Sequence, residues 1–389
     1  MTKSKRNILV SSFLLLGFVF MQCQNRKTDN VSVEEQPGAD TTVVRISYPV
    51  EIDKEAGYET KNDIFLQDIG EVTYLQLETT DQSLLPDKRF FSGIYLTDAD
   101  IFLSFGGNVY RFSSSGKFLN TIGKRGGGPA EFASVVLSDV SEASGEVFLL
   151  DYALRKIMVY DYDGKYKRSF RNEQYCDRFA VVNDSVAIGC MNEPVPGPRI
   201  FLSSLKDGKT IKVLLPERKV DCKKLMTNIG LFARVGRSQD RIILCSSTSD
   251  TIFAFNTQTM ELEPRYVQRP LNTLLPEDAV KTVPYLQFET DKYACILMND
   301  IPLPDFRYWV DRETGDILKV RLADKNKGSR VMEFGTNKPD VIVDLFATQE
   351  LKELFGNNKL SGELKTIAEA MKEDDNPVLV LTKVHSSAR

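Results

Sequence analysis

Four carboxylates stand where a hydrolytic pair could be built. Asp151, Glu193, Asp250 and Asp305 each lie just after a short apolar run. Two carboxyl groups held roughly 5 to 10 Å apart can serve as acid and base, or acid and nucleophile, on a glycosidic bond. The chain holds 54 acidic residues, so suitable pairs also arise by chance. Other catalytic chemistry finds less support. The one histidine, His385, lies near the C-terminus, which leaves no His base and no His-rich metal site. Six cysteines include no CxxC pair, so zinc and redox motifs are unsupported. Asp161-Tyr162-Asp163-Gly164 opens like a calcium loop but lacks the later ligands, and reads as a hairpin turn. Glu373-Asp374-Asp375 reads as a solvated helix end. Gly123 to Phe132 is glycine-rich but leads into a strand rather than a helix, so it reads as a crossover link and not a phosphate cradle. No cofactor and no metal are expected.

Binding chemistry is better placed. Met191 to Pro198 and Met298 to Asp305 both start Met-Asn, both carry prolines, and lead to Arg199 and Arg307. Rigid loops on a scaffold lose less entropy when they bind. Arg125, on the glycine-rich link, and Tyr152 and Arg155, after Asp151, are expected on the same side. The expected ligand or partner contacts are therefore Arg125, Tyr152, Arg155, Asn192, Glu193, Arg199, Asp305 and Arg307. Arginine supplies forked donors suited to carboxylates and to polar interface rims.

These residues need a scaffold that repeats. Short apolar strands alternate with tight polar turns at Ser115-Gly116-Lys117, Asp163-Gly164-Lys165, Asp207-Gly208-Lys209 and Thr314-Gly315-Asp316. Where the copies are clearest the glycines are about 45 to 50 residues apart, which is propeller-blade spacing. Glycine at such a turn accepts positive φ without steric cost. The clearest four-stranded copy runs from Phe132 to Phe170. Others cover Ile94 to Ile122, Phe179 to Leu215, Leu231 to Val267 and Tyr285 to Leu322. A sixth assembles from both ends: Val331 to Phe334, Val341 to Leu345 and Val378 to Thr382, with Val72 to Leu77 as the outer strand. Closing the ring in this way removes open strand edges. The expected fold is all-β, a six-bladed propeller closed by an N-terminal strand. A small helical insertion, about 348–374, joins the second and third strands of the last blade. Leu364, Ile367, Ala368 and Met371 have amphipathic helix spacing, and Ser361 can cap it.

The N-terminus reads as a targeting segment. Lys3, Lys5 and Arg6 precede an apolar stretch from Ile8 to Met21, too short for a span of roughly 20 residues. Residues 1–22 are read as a lipoprotein signal peptide, with Cys23 the acylated residue. Residues 23–43 are polar enough to read as a flexible tether, and 44–389 form the propeller. Cys190, Cys245 and Cys295 fall at similar points of three repeats and read as buried thiols; a Cys176–Cys190 bridge stays open. The formal net charge of −4, with no basic run, leaves nucleic acid no electrostatic footprint.

Three stretches carry a family resemblance: Val72 to Thr79, Gly123 to Phe132, and Glu373 to Val380. Over about residues 44–385 the chain resembles the six-bladed β-propeller lipoproteins of Gram-negative gut bacteria, relatives of the NHL-repeat propellers. The resemblance implies fold and says little of activity. Together the observations predict an exported, lipid-anchored, non-catalytic binding module for a protein partner or an extended glycan or peptide. The membrane is met only through the lipid. Gln24-Asn25-Arg26-Lys27 after Cys23, in place of an acidic run, favours an outer-membrane lipoprotein facing the periplasm. The alternative is a carboxylate-based hydrolase or lyase at the channel mouth.

Overall fold

The computed structural model describes residues 31–33, 44–85, 91–151, 153–191, 196–216, 234–238, 241–245, 249–271, 283–298, 306–330 and 334–385. Blade one is built from Phe91–Leu96, Asp100–Phe105, Asn108–Ser113 and Phe118–Thr121. Blade two is Val135–Ser141, Glu146–Asp151, Lys156–Asp161 and Tyr166–Phe170. Blade three is Arg178–Val181, Val186–Cys190, Ile200–Ser204 and Thr210–Leu215. Each is a four-stranded antiparallel sheet in chain order. The second strands are mostly apolar and buried on both faces, because neighbouring blades cover them. Phe102, Leu149 and Ile188 are wholly buried in this way.

Blade four carries one extra strand and blade five carries two. Blade four is Arg234–Ser238, Arg241–Cys245, Thr251–Asn256 and Glu261–Arg269, and Val50–Asp53 pairs parallel to its outer edge. Blade five is Pro284–Glu289, Tyr293–Met298, Arg307–Asp311 and Ile317–Asp324, and Thr60–Phe65 pairs parallel to its outer edge. Ser329–Arg330 also pairs antiparallel with the last strand of blade five. A short helix, α1 (Leu66–Ile69), then turns the chain toward blade six. These N-terminal straps were absent from the sequence reading. Val31–Val33, inside the expected tether, pairs with Val44–Ile46.

Blade six closes the ring. Its order is Phe334–Gly335, Val341–Phe346, Val378–Val384 and Gly70–Gln76. Val72 faces Thr382 and Gln76 faces Val378, as the strand count requires. Across the seam, Asn337 Oδ1 accepts from Leu96 N at 2.7 Å and its Nδ2 donates to Leu96 O at 2.9 Å. Phe91 and Phe334 meet with ring centroids 5.5 Å apart.

Two of the resembling stretches, Val72 to Thr79 and Glu373 to Val380, meet at this seam. Asn376, 1% exposed, accepts from Leu85 N and donates to Glu78 O and Ser83 O. Glu78 in turn accepts from Phe118 N at 2.8 Å. Asn376 thus satisfies the backbone of the link that enters blade one, a link with no strand partner of its own.

The insertion is two helices, α2 (Thr348–Gly356) and α3 (Gly362–Ala370), between the second and third strands of blade six. Leu364, Ala368 and Met371 are buried and Ile367 is half-buried. Ser361 holds the N-cap position, but its side chain makes no capping bond; its Oγ contacts Asn326 Oδ1 instead. Lys352 Nζ donates to Ala368 O and Met371 O, which suits the negative end of α3.

Candidate functional site

Strand connectivity gives the disc two ends. The first-to-second turns lie at one. The second-to-third loops and the links between blades lie at the other, together with α2 and α3. Arg125 is at this long-loop end: it is exposed, and its Nη2 donates to Gly106 O of blade one's second-to-third turn at 3.3 Å. Arg155 is exposed at the same end, on blade two, in the left-handed region with φ 50.

Two other expected contacts turn inward. Arg199 is only 2% exposed, so it is a core residue of blade three rather than a surface contact, and replacing it would cost stability. Arg307 Nε donates to Gln287 Oε1 at 2.6 Å, which directs it to blade five's inner strand. Tyr152, Asn192, Glu193, Asp305 and Cys23 lie outside the described residues. Two glycine turns also pack on the end of the preceding blade's outer strand: Glu78 N donates to Gly116 O and Glu173 N to Gly208 O, both at 2.9 Å. The turns are joints between blades at the rim.

The inner strands enclose a central cavity of about 130 Å³. Its wall is mixed: Ile94, Leu137, Phe179 and Leu286 come from four different blades, beside polar Ser92, Arg178, Gln287 and Asn337. Among the described residues, the carboxylates of Asp139 and Glu289 reach it, and both are bonded. Asp139 follows a bulge in blade two. It accepts from Val140 N at 2.9 Å, from Val181 N of blade three at 2.7 Å, and from Arg237 of blade four. Arg237 also donates to Val181 O at 2.8 Å, so one ion pair ties three blades. Burial works to lower Arg237, and Asp139 outweighs it and holds the guanidinium charged. Burial, followed by the Asp139 charge, pushes the nearby Tyr95 hydroxyl up.

Glu289 ends the inner strand of blade five. Arg265 donates to it twice, at 3.0 and 2.7 Å, and the Tyr266 hydroxyl once, at 2.6 Å. Arg312 stands 3.7 Å away. Tyr48 lies under Arg265, 4.0 Å from guanidinium to ring centroid. Burial alone would raise Glu289, but Arg265, its hydrogen bonds and Arg312 reverse that and hold the carboxyl at about 2. Asp151 and Asp250 are likewise structural. Asp151 is fully buried and caps Ala133 N and Leu154 N. Asp250 is 3% exposed and accepts from Gln268.

The described cysteines, Cys176, Cys190, Cys245 and Cys295, are buried and in no disulfide, so the Cys176–Cys190 bridge does not form. Leu286 N donates to Cys245 Sγ at 3.5 Å, so one thiol also serves as a joint between blades.

A buried, ion-paired channel and an asymmetric pair of ends define a six-bladed propeller strapped by its own N-terminus. Residues 49–383 match the family described as "Domain of unknown function (DUF4934)", and the chain belongs to that family. A protein of Bacteroides fragilis NCTC 9343, to which export is ascribed, is similar in fold, with a TM-score of 0.66 at 15% identity. The match covers 87% of this chain and 99% of that one. Kuenenia stuttgartiensis hydrazine synthase matches at a TM-score of 0.42 and 11% identity, over 79% of this chain and 90% of that one. The Neurospora crassa Pan2 WD40 domain matches at 0.37 and 9%, over 76% of each. Those last two are too distant to carry an argument. No curated protein matches the chain.

Proposed function

We propose that this protein is an exported, lipid-anchored, non-catalytic binding module. It holds a protein partner, or an extended glycan or peptide, at the long-loop end of the disc. Export rests on the basic and apolar N-terminal residues and accords with the export ascribed to the Bacteroides fragilis protein. Acylation at Cys23 would hold it on the periplasmic leaflet of the outer membrane.

One observation carries the binding reading. The two channel carboxylates, Asp139 and Glu289, are committed to arginines and to other donors, while Arg125 and Arg155 stand exposed at the long-loop end. An acid held at about 2 cannot donate a proton near neutrality, which counts against a hydrolase built on it. The test is capture of a ligand from the native envelope by the full chain and by its Arg125→Ala, Arg155→Ala double variant. Capture should weaken about tenfold or more with the thermal midpoint unchanged, since both side chains are exposed. Capture that survives this pair but fails on changing the channel wall at Ile94 would move the site into the channel.

A further inference from the structure

A second cavity lies at the long-loop end, between blades two and three, with a volume of about 220 Å³. Arg155 comes from the second-to-third loop of blade two. Arg171, Asn172, Glu173, Gln174, Tyr175 and Cys176 come from the link into blade three, and the Glu173 carboxylate is already taken by Thr210 N at 2.9 Å. The Arg155 guanidinium lies over the Tyr175 ring, 4.6 Å from its centroid. Its left-handed backbone and this stacking hold the fork in place before any ligand arrives.

Two features call for a ligand of mixed chemistry. Among the described residues, neither Arg155 nor Arg171 has a carboxylate within ion-pair distance, although most other arginines in the fold are paired or bonded. Asn172 Nδ2 donates to Cys176 Sγ at 3.2 Å, and its Oδ1 is buried and accepts no bond. A buried acceptor left unmade is costly. The guanidiniums want an anion with two acceptor oxygens; Asn172 wants an O–H or N–H donor. Cys176 adds no charge, since burial pushes its thiol up to about 12.

Resting on the binding reading above, we infer that this cleft is a subsite for a sugar acid, a uronate residue of a glycan. A uronate carries a planar carboxylate and hydroxyl donors on one ring, and the bounded cavity suits a ring. An acidic peptide can also meet an arginine pair, but a uronate carries its carboxylate and its hydroxyl donors on one rigid ring. Arg155 and Arg171 take the carboxylate, Asn172 Oδ1 takes a hydroxyl proton, and Gln174 reaches a second hydroxyl.

The test is calorimetric titration of the full chain with trigalacturonate, triglucuronate, neutral galactotriose and a Glu-rich peptide. One of the two uronates should bind saturably, and neutral galactotriose about tenfold or more weaker, as expected when charge-assisted bonds are lost. Raised salt should weaken the uronate. Arg155→Ala and Arg171→Ala should each abolish the preference for the acid over the neutral sugar, with Arg155→Lys restoring it only in part. Thermal midpoints of these variants show that they fold. Equal binding of acidic and neutral sugars, tighter binding of the peptide, or no uronate binding would overturn the inference. If a native ligand is still captured through Arg125 while uronates fail, the subsite falls and the long-loop reading stands. If neither binds there, both fall.

Discussion

Two of the four carboxylates that looked most chemical in the sequence, Asp151 and Asp250, hold the fold together. Asp151 and Asp250 cap and brace turns, while Asp139 and Glu289 anchor arginines between blades. None of this was legible, because a carboxylate in a strand reads as a solvent-facing position until the neighbouring blade is known. Arg199 was misread for the same reason: a residue after a proline loop was taken as exposed, and it is buried. Glu289 gives a testable consequence. Its folded pKa of about 2 lies below the ordinary 4.5. The stabilisation it brings is therefore full above about pH 4.5 and is lost as pH falls toward about 2. The linked stability is on the order of 3 kcal/mol. Urea unfolding midpoints across that window should fall in the native protein. Glu289→Gln should flatten this acid limb while lowering stability at neutral pH, because Arg265 is left buried without its partner. An unchanged acid limb in the variant would remove Glu289 from the account.

At the scale of elements, the hairpins were legible and the straps were not. An Asp-Gly turn between apolar runs is a local signal, and Gly164 and Gly208 do adopt φ values of 79° and 74°. Val50–Asp53 and Thr60–Phe65 pair in parallel with strands more than 200 residues away. Thr60–Phe65 reads Thr-Lys-Asn-Asp-Ile-Phe, with little β-propensity of its own. Its pairing comes from an outer edge that needs covering. The insertion was found through its apolar stripe, but the Lys352 bonds at the end of α3 depend on how two helices dock. The rim joints can be tested at one glycine. A Cβ on Gly208 would lie 2.0 Å from Arg171 O, whereas one on Gly127 would meet nothing. Gly208→Ala should cost about 1–2 kcal/mol from the left-handed backbone alone, and more from the collision. Gly127→Ala should leave the unfolding midpoint where it is. Equal midpoints for the two variants would mean that the joint carries no load.

For the whole molecule, the ring and its closure were readable because a propeller repeats and because its ends must meet. Val72 does face Thr382, and the Asn376 bonds explain why the two ends carry distinctive residues. The asymmetry of the disc was only half readable. Loop lengths showed which end is elaborated, but not that the Gly116 and Gly208 turns also join neighbouring blades at the rim. The central claim is that the elaborated end meets the ligand or partner. Lys124 is 82% exposed at that end, beside Arg125, and Asp184 is exposed at the other, in blade three's first-to-second turn. A photo-crosslinking amino acid placed at either position in the full chain, activated in the native envelope, tests the claim directly. The account predicts adducts from position 124 and none from position 184. Adducts from 184 alone, or equally from both, would contradict it.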